Sequence, residues 1–370
     1  MRLGDSGVAV AEVRARLTRL GLLDDPAFAE IELGTAFDTI VIQHAVFDEE
    51  LDRAVRQFQQ DRGLAVDGIV GKETFRRLEE ARWRLGDRVL SFTPGHLMAG
   101  EDVAELQRRL TRLGFDAGRA DGAFGRQTDH ALREFQRSVG VEVDGTCGVE
   151  TFKAFERLAR AITGGEADAL REQAALDAVR SGIADKVVVL DAGHGGPDDG
   201  VGGHELSEAE ISYDIVGRIE GRLAALGTQV VLTRGAHLDS ELEEIERAQL
   251  ANHTNADLLV SIHADSSTSP TAQGVVSFYY GDLIAKNISI TGKAFAEYVQ
   301  EEVCRRTGAI DCHSHARSWD LLRRTKMPAV RIEVGYLTCP EEAARLADPS
   351  YRDQIAEGIA RAIVRFFAPH

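Results

Sequence analysis

The histidine at position 194 stands in a glycine-rich stretch whose residue types could do chemistry. This stretch, Asp191-Ala-Gly-His-Gly-Gly-Pro-Asp-Asp-Gly200, follows the apolar run Val187–Leu190, which is typical of a buried strand. A glycine-rich loop after a strand first suggests phosphate binding, because bare backbone N–H groups can approach an anion closely. The spacing matches neither glycine-rich phosphate motif, and Asp198 and Asp199 would repel a phosphate. An imidazole with open space around it is instead typical of a metal ligand.

Three further polar residues are candidate partners of His194. His263 ends the apolar run Leu258–His263, Glu333 lies near the end of another apolar run, and Glu208 begins a predicted helix. Such groups gather at the carboxyl edge of an α/β sheet, and each needs a partner because burial of an unpaired polar group is costly. Taken alone, Glu208 is also typical of a helix-dipole partner and His194 of a loop histidine. Together, two histidines and a carboxylate favour Zn²⁺ with a fourth position open to water.

The elements that position these residues alternate between strands and helices. Apolar runs predict strands, and helical periodicity predicts helices between them, so the pattern indicates a sheet covered by helices on both faces. Ser207 and Glu210 predict a capping box at the first helix, and Gly227 its end. The predicted strands are Val187–Leu190, Gln229–Thr233, Leu258–His263, Gly274–Tyr280 and Ala329–Val334, and the predicted helices are Glu208–Leu226, Leu242–Asn252, Gly292–Arg306 and Tyr351–Phe367.

The N-terminal half contains an internal repeat. Its matching segments are Leu17–Gly21 with Leu110–Gly114, Phe47–Gln59 with Phe124–Gln136, and Val66–Phe75 with Val143–Phe152. The first pair is offset by 93 residues and the other two by 77, so the first copy carries a 16-residue insertion within residues 24–46. Amphipathic periodicity and Asp-Gly turns predict three short helices in each copy.

Composition excludes several classes of function. The chain has 370 residues, enough for two or three domains, and a net charge of −17, which argues against nucleic acid and anionic lipid as partners. No apolar run is long enough for a transmembrane segment, and no secretion signal precedes the first helical pattern, which predicts a cytoplasmic location. The four cysteines form no Cys-x-x-Cys pair and are interpreted as mostly buried thiols. A bridge between Cys304 and Cys312 would require an oxidising compartment.

Each repeat resembles the helical peptidoglycan-binding domain (PG_binding_1). The resemblance rests on Leu-x-x-Leu-Gly followed by Phe-Gln-x-x-x-Gly-Leu-x-Val-Asp-Gly-x-x-Gly-x-x-Thr-Phe, a pattern that occurs twice. It implies a first repeat at residues 1–84 and a second at 98–160, joined by a linker at 84–97 and followed by another at 161–185. The alternative left open is that the copies only dimerise or pack on another domain.

Residues 186–370 resemble the zinc-dependent N-acetylmuramoyl-L-alanine amidase family (Amidase_3). The resemblance rests on four motifs, with Thr233-Arg234 and an Arg247 segment between them. The motifs are Val-Leu-Asp-Ala-Gly-His194-Gly-Gly, Leu-Ser-Glu208-Ala-Glu-Ile, Val-Ser-Ile-His263-Ala-Asp and Met-Pro-Ala-Val-Arg-Ile-Glu333-Val-Gly. The resemblance implies an α/β amidase domain with a mixed sheet, with His194, Glu208 and His263 as zinc ligands and Glu333 as catalytic acid–base. The pairing with two repeats resembles the actinobacterial CwlM-type subgroup more narrowly.

Two functions follow from the resemblance. The first is zinc-dependent hydrolysis of the amide between N-acetylmuramic acid and L-alanine, with Arg317 or Arg323 as weak candidates for stabilising the oxyanion and surface salt bridges as their alternative role. The second is a cytoplasmic regulator of precursor synthesis, with little or no catalysis, that binds muropeptides or lipid-linked precursors and contacts a peptidoglycan-synthesis enzyme. The complete set of four site residues favours hydrolysis.

Overall fold

The chain divides into two compact units, Met1–Asp168 and Ala169–His370. The computed structural model describes residues 1–29, 45–159, 174, 180–236, 241–282 and 287–369. Much of the insertion in the first repeat, residues 30–44, and most of the predicted linker at 161–185 lie outside this described part. Among the described residues, no helix combines the length and apolarity needed to cross a bilayer.

The first unit is built from short helices. The second repeat has the three predicted helices, and the first repeat has three matching helices plus α2 within the insertion. A small antiparallel pairing of β1 with β2 lies in the second repeat, so the segment predicted as the linker 84–97 contains a strand. The bounds are α1 (Val8–Arg19), α2 (Pro26–Ala29), α3 (Glu49–Asp61), α4 (Lys72–Glu80), α5 (Glu101–Arg112), α6 (Arg126–Val139), α7 (Val149–Ala159), β1 (Leu90–Ser91) and β2 (Thr146–Cys147).

A buried glutamine closes the Asp-Gly turn of the second repeat. The Gln136 side chain is fully buried, and its Nε2 donates to Asp144 Oδ1 at 2.7 Å, to the Thr146 carbonyl at 3.0 Å and to Thr151 Oγ1 at 3.1 Å. Its Oε1 accepts from the backbone N–H of Gly145 at 2.9 Å. The Phe-Gln…Asp-Gly…Thr pattern therefore encodes one hydrogen-bonded unit, in which the amide satisfies buried polar groups that would otherwise be unpaired.

The same arrangement recurs at two other turns. Gln59 and Gln107 are buried and make the corresponding set of bonds, each including one bond from the glycine N–H of the turn. Their other partners are Asp67, Ile69 and Thr74 for Gln59, and Asp121, Ala123 and Thr128 for Gln107. At the position in the first repeat equivalent to Gln107, Arg14 instead bonds Asp25 and Asp48 beside the insertion. The duplicated fold therefore tolerates a charged replacement where one carboxylate of the insertion, Asp25, and the N-cap carboxylate of α3, Asp48, pair with it.

The second unit contains a seven-stranded mixed sheet. Its order is β6, β3, β7, β11, β8, β10, with β9 also paired to β8. The first four strands are parallel, whereas β8 pairs antiparallel with β11 and parallel with β10. The bounds are β3 (Val187–Ala192), β6 (Gln229–Leu232), β7 (Leu258–Asp265), β8 (Val275–Asp282), β9 (Asn287–Ile288), β10 (Asp311–Arg317) and β11 (Ala329–Tyr336), with a separate hairpin of β4 (Gly202–Gly203) and β5 (Leu206–Ser207).

The two faces of this sheet differ in chemistry. One face carries Leu190, Ile262 and Ile332 into an apolar core shared with three long helices, α8, α10 and α13. The opposite face carries Asp191 and Ser261 toward α9. Alternation along each strand produces this separation, because successive side chains point to opposite faces. The helix bounds are α8 (Glu208–Ala224), α9 (Glu244–His253), α10 (Ile290–Thr307), α11 (Asp320–Arg324), α12 (Pro340–Ala347) and α13 (Pro349–Phe367).

Several local predictions differ from the structure. The capping box at α8 is wrong, because Ser207 makes no side-chain capping bond and its hydroxyl instead donates to the Asp199 carbonyl at 3.2 Å. Strand β10 and helices α11 and α12 were not predicted; β10 is an edge strand whose residues alternate between exposed and half-buried positions, so it lacks an apolar run. Cys304 and Cys312 are free thiols.

Replacing Gln136 by Leu tests the glutamine unit. The substitution keeps a similar volume but leaves the Gly145 N–H and the Thr151 hydroxyl without Gln136 as their partner, and each unpaired buried group costs about 1–3 kcal/mol. We expect the unfolding transition of the first unit, measured by calorimetry, to move to lower temperature by several degrees. The exposed neighbour provides the control, since Arg137→Gln should leave the transition unchanged. Equal melting of both variants would contradict this role.

Candidate active site

Three polar side chains from separate elements meet at the carboxyl edge of the sheet. His194 follows β3, Glu208 is the first residue of α8, and His263 lies on β7. One ligand atom from each lies within 4.8 Å of the others. Glu208 Oε1 is 2.8 Å from His263 Nδ1 and 3.2 Å from His194 Nε2. The structure therefore brings together the three residues that the sequence predicted as metal ligands.

Glycines make room for this cluster. A Cβ at Gly193 would collide with the His263 ring, and one at Gly200 would lie 2.7 Å from both Glu208 Oε2 and the His194 ring. Gly200 also has a φ of +68°, a conformation that residues with a side chain rarely adopt. The glycine-rich sequence around His194 is thus explained by the space that two imidazoles and a carboxylate occupy.

Two buried arginines hold the loop that carries His194. Arg247 donates to the carbonyls of Ala192 at 2.7 Å and His194 at 2.8 Å, while Arg234 donates to the Gly193 carbonyl at 3.0 Å. Three successive carbonyls at the end of β3 are thereby satisfied by side-chain donors. The position of His194 is therefore fixed by α9 and by the segment after β6, which are distant from it in sequence.

Asp191 anchors Arg247 from inside the sheet. Its carboxylate is fully buried and accepts from Arg247 at 2.7 Å and from the hydroxyls of Thr233 and Ser261, each at 2.5 Å. Burial opposes ionisation of Asp191, but the Arg247 charge, His263 and the two hydroxyls outweigh it and hold the pKa of Asp191 below its ordinary value. The carboxylate is therefore charged and paired inside the protein.

The electrostatics of the cluster suit metal binding. Burial opposes the charge of Glu208, but hydrogen bonds from both histidines keep its pKa below the ordinary value. Burial and the nearby Arg331 charge lower the pKa of His263 to about 4, so this imidazole is neutral near pH 7. Asp198 Oδ2 lies 2.6 Å from His194 Nδ1. This contact orients the ring so that the other nitrogen, Nε2, faces Glu208. Metal-binding histidines typically have such a carboxylate partner on the ring nitrogen that does not bind the metal.

Glu333 lies beside the cluster on the neighbouring strand. Its register partner in the parallel pair β11–β7 is His263, so both side chains lie on the same face of the sheet. Glu333 Oε1 accepts from Arg331 Nε at 2.8 Å, whereas the buried Oε2 has no hydrogen-bond partner. Burial, only partly offset by Arg331, raises the pKa of Glu333 to about 7, with Asp265 and Glu208 adding to the effect.

Arg331 is a site residue that the sequence analysis missed. It lies two positions before Glu333 and therefore on the same face of β11, which is the signal that could have identified it. Its guanidinium lies 4.7 Å from the centroid of the Trp319 ring, and its NH1 is 3.3 Å from Glu244 of α9. Arg331 therefore stacks on Trp319 and pairs with both Glu244 and Glu333. It fixes Glu333 Oε1 and leaves Oε2 available.

The two arginines predicted as weak candidates for stabilising an oxyanion have other contacts. Arg317 places its guanidinium 5.2 Å from the centroid of the Phe278 ring. Arg323 is buried and pairs with Asp320 at 2.9 Å, so the alternative prediction of a surface salt bridge is wrong for this residue. Arg323 lies on α11, a helix of five residues. A helix this short has no clear periodicity in the sequence, so the burial of Arg323 could not be predicted from it.

Comparisons with known proteins identify the family of the chain. The chain is 42% identical to the N-acetylmuramoyl-L-alanine amidase CwlM of Mycobacterium tuberculosis, across 99% of this chain and 89% of that protein. The chain belongs to the N-acetylmuramoyl-L-alanine amidase family. The family profile for N-acetylmuramoyl-L-alanine amidase matches residues 188–365, and that for a putative peptidoglycan binding domain matches residues 6–78 and 99–155. The enzyme class, the fold class and the likeness to CwlM-type proteins predicted from the sequence are confirmed.

Further members of the family match the second unit. The germination-specific N-acetylmuramoyl-L-alanine amidase of Bacillus subtilis is 32% identical over 50% of this chain and 81% of that protein. The solved structure of the amidase AmiC2 of Nostoc punctiforme is 34% identical, covering 49% of this chain and 96% of that chain, with a TM-score of 0.45. The family is generally metal-dependent, and the cluster of His194, Glu208 and His263 is a candidate metal site.

Replacing Arg247 by Met tests how the His194 loop is held. The variant retains an unbranched apolar stem but removes the bonds to Asp191 and to two loop carbonyls. We expect Zn²⁺ affinity, measured by titration calorimetry, to fall about 10–100-fold, because outer contacts orient metal ligands. Stability should fall by about 3–5 kcal/mol, because a buried carboxylate loses its charged partner. Gln249→Met, an exposed change on the same helix, should alter neither value; unchanged affinity in Arg247→Met would exclude this role.

Glu333→Gln tests the raised pKa through the stability of the metal-free protein. The folded pKa of about 7 exceeds the ordinary value of 4.5, so between these values the folded state binds a proton that the unfolded state does not. Wild-type stability should therefore decrease as pH rises through this window, by roughly 3 kcal/mol in total.

The Glu333→Gln variant has no titrating group at this position, so its stability relative to wild type should increase over the same pH range. Calorimetry with a chelator at about pH 5 and about pH 8 measures the difference. The exposed substitution Glu341→Gln serves as the control. A constant difference between Glu333→Gln and wild type would show that the carboxyl is not perturbed.

Proposed function

We propose that this chain hydrolyses the amide bond between N-acetylmuramic acid and L-alanine in peptidoglycan or its precursors, with zinc as cofactor. In this proposal His194, Glu208 and His263 hold the metal, and Glu333 is the catalytic acid–base. The observation that supports it most directly is the arrangement of donors: three ligand atoms within 4.8 Å, beside a buried carboxylate oxygen without a hydrogen-bond partner. Membership of the amidase family supports the choice of bond.

The donor set fits zinc better than a harder cation. Two imidazole nitrogens and one carboxylate oxygen are typical of catalytic zinc sites, which keep a fourth position open. The two glycines that make room for the ligands and the Asp198 contact to His194 are consistent with a site built for an ion. Bound zinc would supply a Lewis acid that polarises the amide carbonyl and lowers the pKa of water.

Glu333 performs the proton transfers in this proposal. Its Oε2 accepts a proton from the attacking water as the new carbon–oxygen bond forms. The same oxygen then donates a proton to the amine nitrogen as the carbon–nitrogen bond breaks, because an amine anion is a poor leaving group. A pKa near 7 suits both transfers. Arg331 keeps Oε1 fixed during the reaction, so only Oε2 exchanges protons.

The repeats supply the binding function in this proposal. Residues 1–84 and 98–160 would bind peptidoglycan or muropeptides, while residues 186–370 would carry the catalytic site and 161–185 the linker. The two matches to a peptidoglycan binding domain support this division. Regulation of precursor synthesis through bound muropeptides or lipid-linked precursors, in the cytoplasm and with little or no turnover, stays a prediction from the sequence. Turnover distinguishes the two functions.

The proposed reaction is tested with the full chain, muropeptides and purified wall. Wild type should bind about one zinc per chain and release stem peptides. Glu333→Gln should keep its zinc but lose at least about 10²-fold in rate, since general acid–base catalysis contributes about 10²–10⁴-fold. His263→Ala should lose the metal, and Glu341→Gln should behave like wild type. Zinc-loaded wild type that releases no peptide from any of these substrates, or from lipid-linked precursor, would favour the regulatory function instead.

A further inference from the structure

Strand β11 contains an extra residue directly after Glu333. Glu333 pairs with His263, but the next pair along the same two strands is Tyr336 with Asp265, so three steps on β11 match two steps on β7. Such a β-bulge reverses the alternation of the side chains that follow it. A regular strand would turn Tyr336 to the opposite face of the sheet. The bulge instead places it on the face of Glu333, just as Asp265 lies on the face of His263.

The bulge is held in place by Glu342 of α12. Gly335 has a φ of +151°, a conformation that residues with a side chain rarely adopt, and a Cβ there would lie 3.0 Å from Glu342 Oε2. Glu342 is buried, and its Oε2 accepts from the backbone N–H of Tyr336 at 2.7 Å while its Oε1 accepts from that of Gly274 at 2.8 Å. The backbone that carries Tyr336 is therefore fixed by contacts within the protein.

Tyr336 and Asp265 form a polar pair on this face. The Tyr336 hydroxyl lies within hydrogen-bonding reach of the Asp265 carboxylate, whose Oδ1 also accepts from the backbone N–H of Ser266 at 2.7 Å. Burial raises the pKa of Tyr336 to about 12, and the charges of Asp265 and Glu333 add to the effect, so the hydroxyl keeps its proton. When that proton is donated to Asp265, the hydroxyl oxygen can still accept from a ligand. Both residues are only half-buried.

The distance from Glu333 to this pair matches one residue of a bound peptide plus a hydrogen bond. Asp265 is two residues beyond His263, the strand partner of Glu333, which is about 6.6 Å along the strand. In the proposed reaction the departing amine nitrogen lies beside Glu333. The next peptide nitrogen is about 3.6 Å farther along the substrate, and a hydrogen bond from it spans about 2.9 Å. An acceptor at the position of the pair can therefore reach that N–H group.

We propose that Tyr336, held by Asp265, binds the peptide portion of the substrate by accepting a hydrogen bond from the first peptide N–H beyond the scissile amide. The negative charge of Asp265 favours an N–H donor over a carbonyl or carboxylate oxygen. The saccharide lies on the carbonyl side of the scissile bond, away from the departing nitrogen. The inference rests on the proposed function, because the place of that nitrogen sets the direction of the peptide. It makes Tyr336 a specificity-determining residue.

Two substrates that differ at one position test this contact in the full chain loaded with zinc. N-acetylmuramoyl-L-alanine methylamide has the N–H group, and the methyl ester has an oxygen in its place. Tyr336→Phe should lower kcat/KM for the methylamide about three- to tenfold, the effect of one hydrogen bond, and should not lower it for the ester. Tyr298→Phe, the same change at a half-buried tyrosine of α10, should affect neither substrate. Equal losses for both substrates in Tyr336→Phe would indicate a structural role and overturn the proposal.

The ring signal of Tyr336 gives a second readout that does not require turnover. The chain has six tyrosines, so the Cε signal of Tyr336 in carbon-13-labelled protein is assigned by its absence from Tyr336→Phe. In zinc-loaded Glu333→Gln, the methylamide at millimolar concentration should shift this signal and the ester should not. A selective shift together with a wild type that hydrolyses neither compound would reject the proposed reaction but support the peptide contact. Equal shifts with both compounds, or no shift with either, would overturn the contact.

Discussion

The buried pair of Asp191 and Arg247 connects the parts on which the second unit depends. At 2.7 Å and almost without exposure, the pair joins β3 to α9, and the two hydroxyls bonded to Asp191 add Thr233, the residue after β6, and Ser261 of β7. Burying two charges is costly, and the attraction between them offsets this only when the remaining bonds are also made. Here Arg247 makes those bonds to the carbonyls of the His194 loop. The cost of burying the pair is therefore offset only in the geometry that also holds the His194 loop.

The different chemistry of the two sheet faces explains why the candidate site can exist in a stable protein. One face contributes apolar side chains to the core with α8, α10 and α13, and the other contributes a row of polar groups. Because Glu333 belongs to the polar row but is screened from water, its carboxyl has a pKa suited to proton transfer. The same burial would destabilise the protein if the apolar face did not compensate for it.

The first unit shows how a duplicated fold diverges. The hydrogen bonds of Gln59 and Gln136 are almost identical, so the positions that specify the turns have been retained. The position of Gln107 has changed, because the first repeat has Arg14 there, paired with Asp25 and Asp48. Arg14 is buried, so its charge is tolerated because Asp25 and Asp48 pair with it and not because water screens it.

Much of the candidate site could be predicted from the sequence. Apolar runs located the parallel strands, and polar residues at their carboxyl ends identified His194 and His263, because alternation and strand direction are local properties. Motif resemblance added the roles of Glu208 and Glu333. The repeat and its Asp-Gly turns were also visible, since duplication is a property of the sequence itself.

Only the tertiary structure decided which groups pair over long distances. The contacts of Arg331 with Trp319 and of Arg247 with Asp191 join residues from separate elements, and no local period encodes them. Strands β8 and β10 are parallel to each other and run opposite to the other four strands of the main sheet, and this direction is also set by the tertiary structure. So is the bond of the Ser207 hydroxyl, which points to the Asp199 carbonyl and not to its helix. The sequence determines which side chains are available on each face, whereas burial and pairing energies, which depend on the assembled sheet, select their partners.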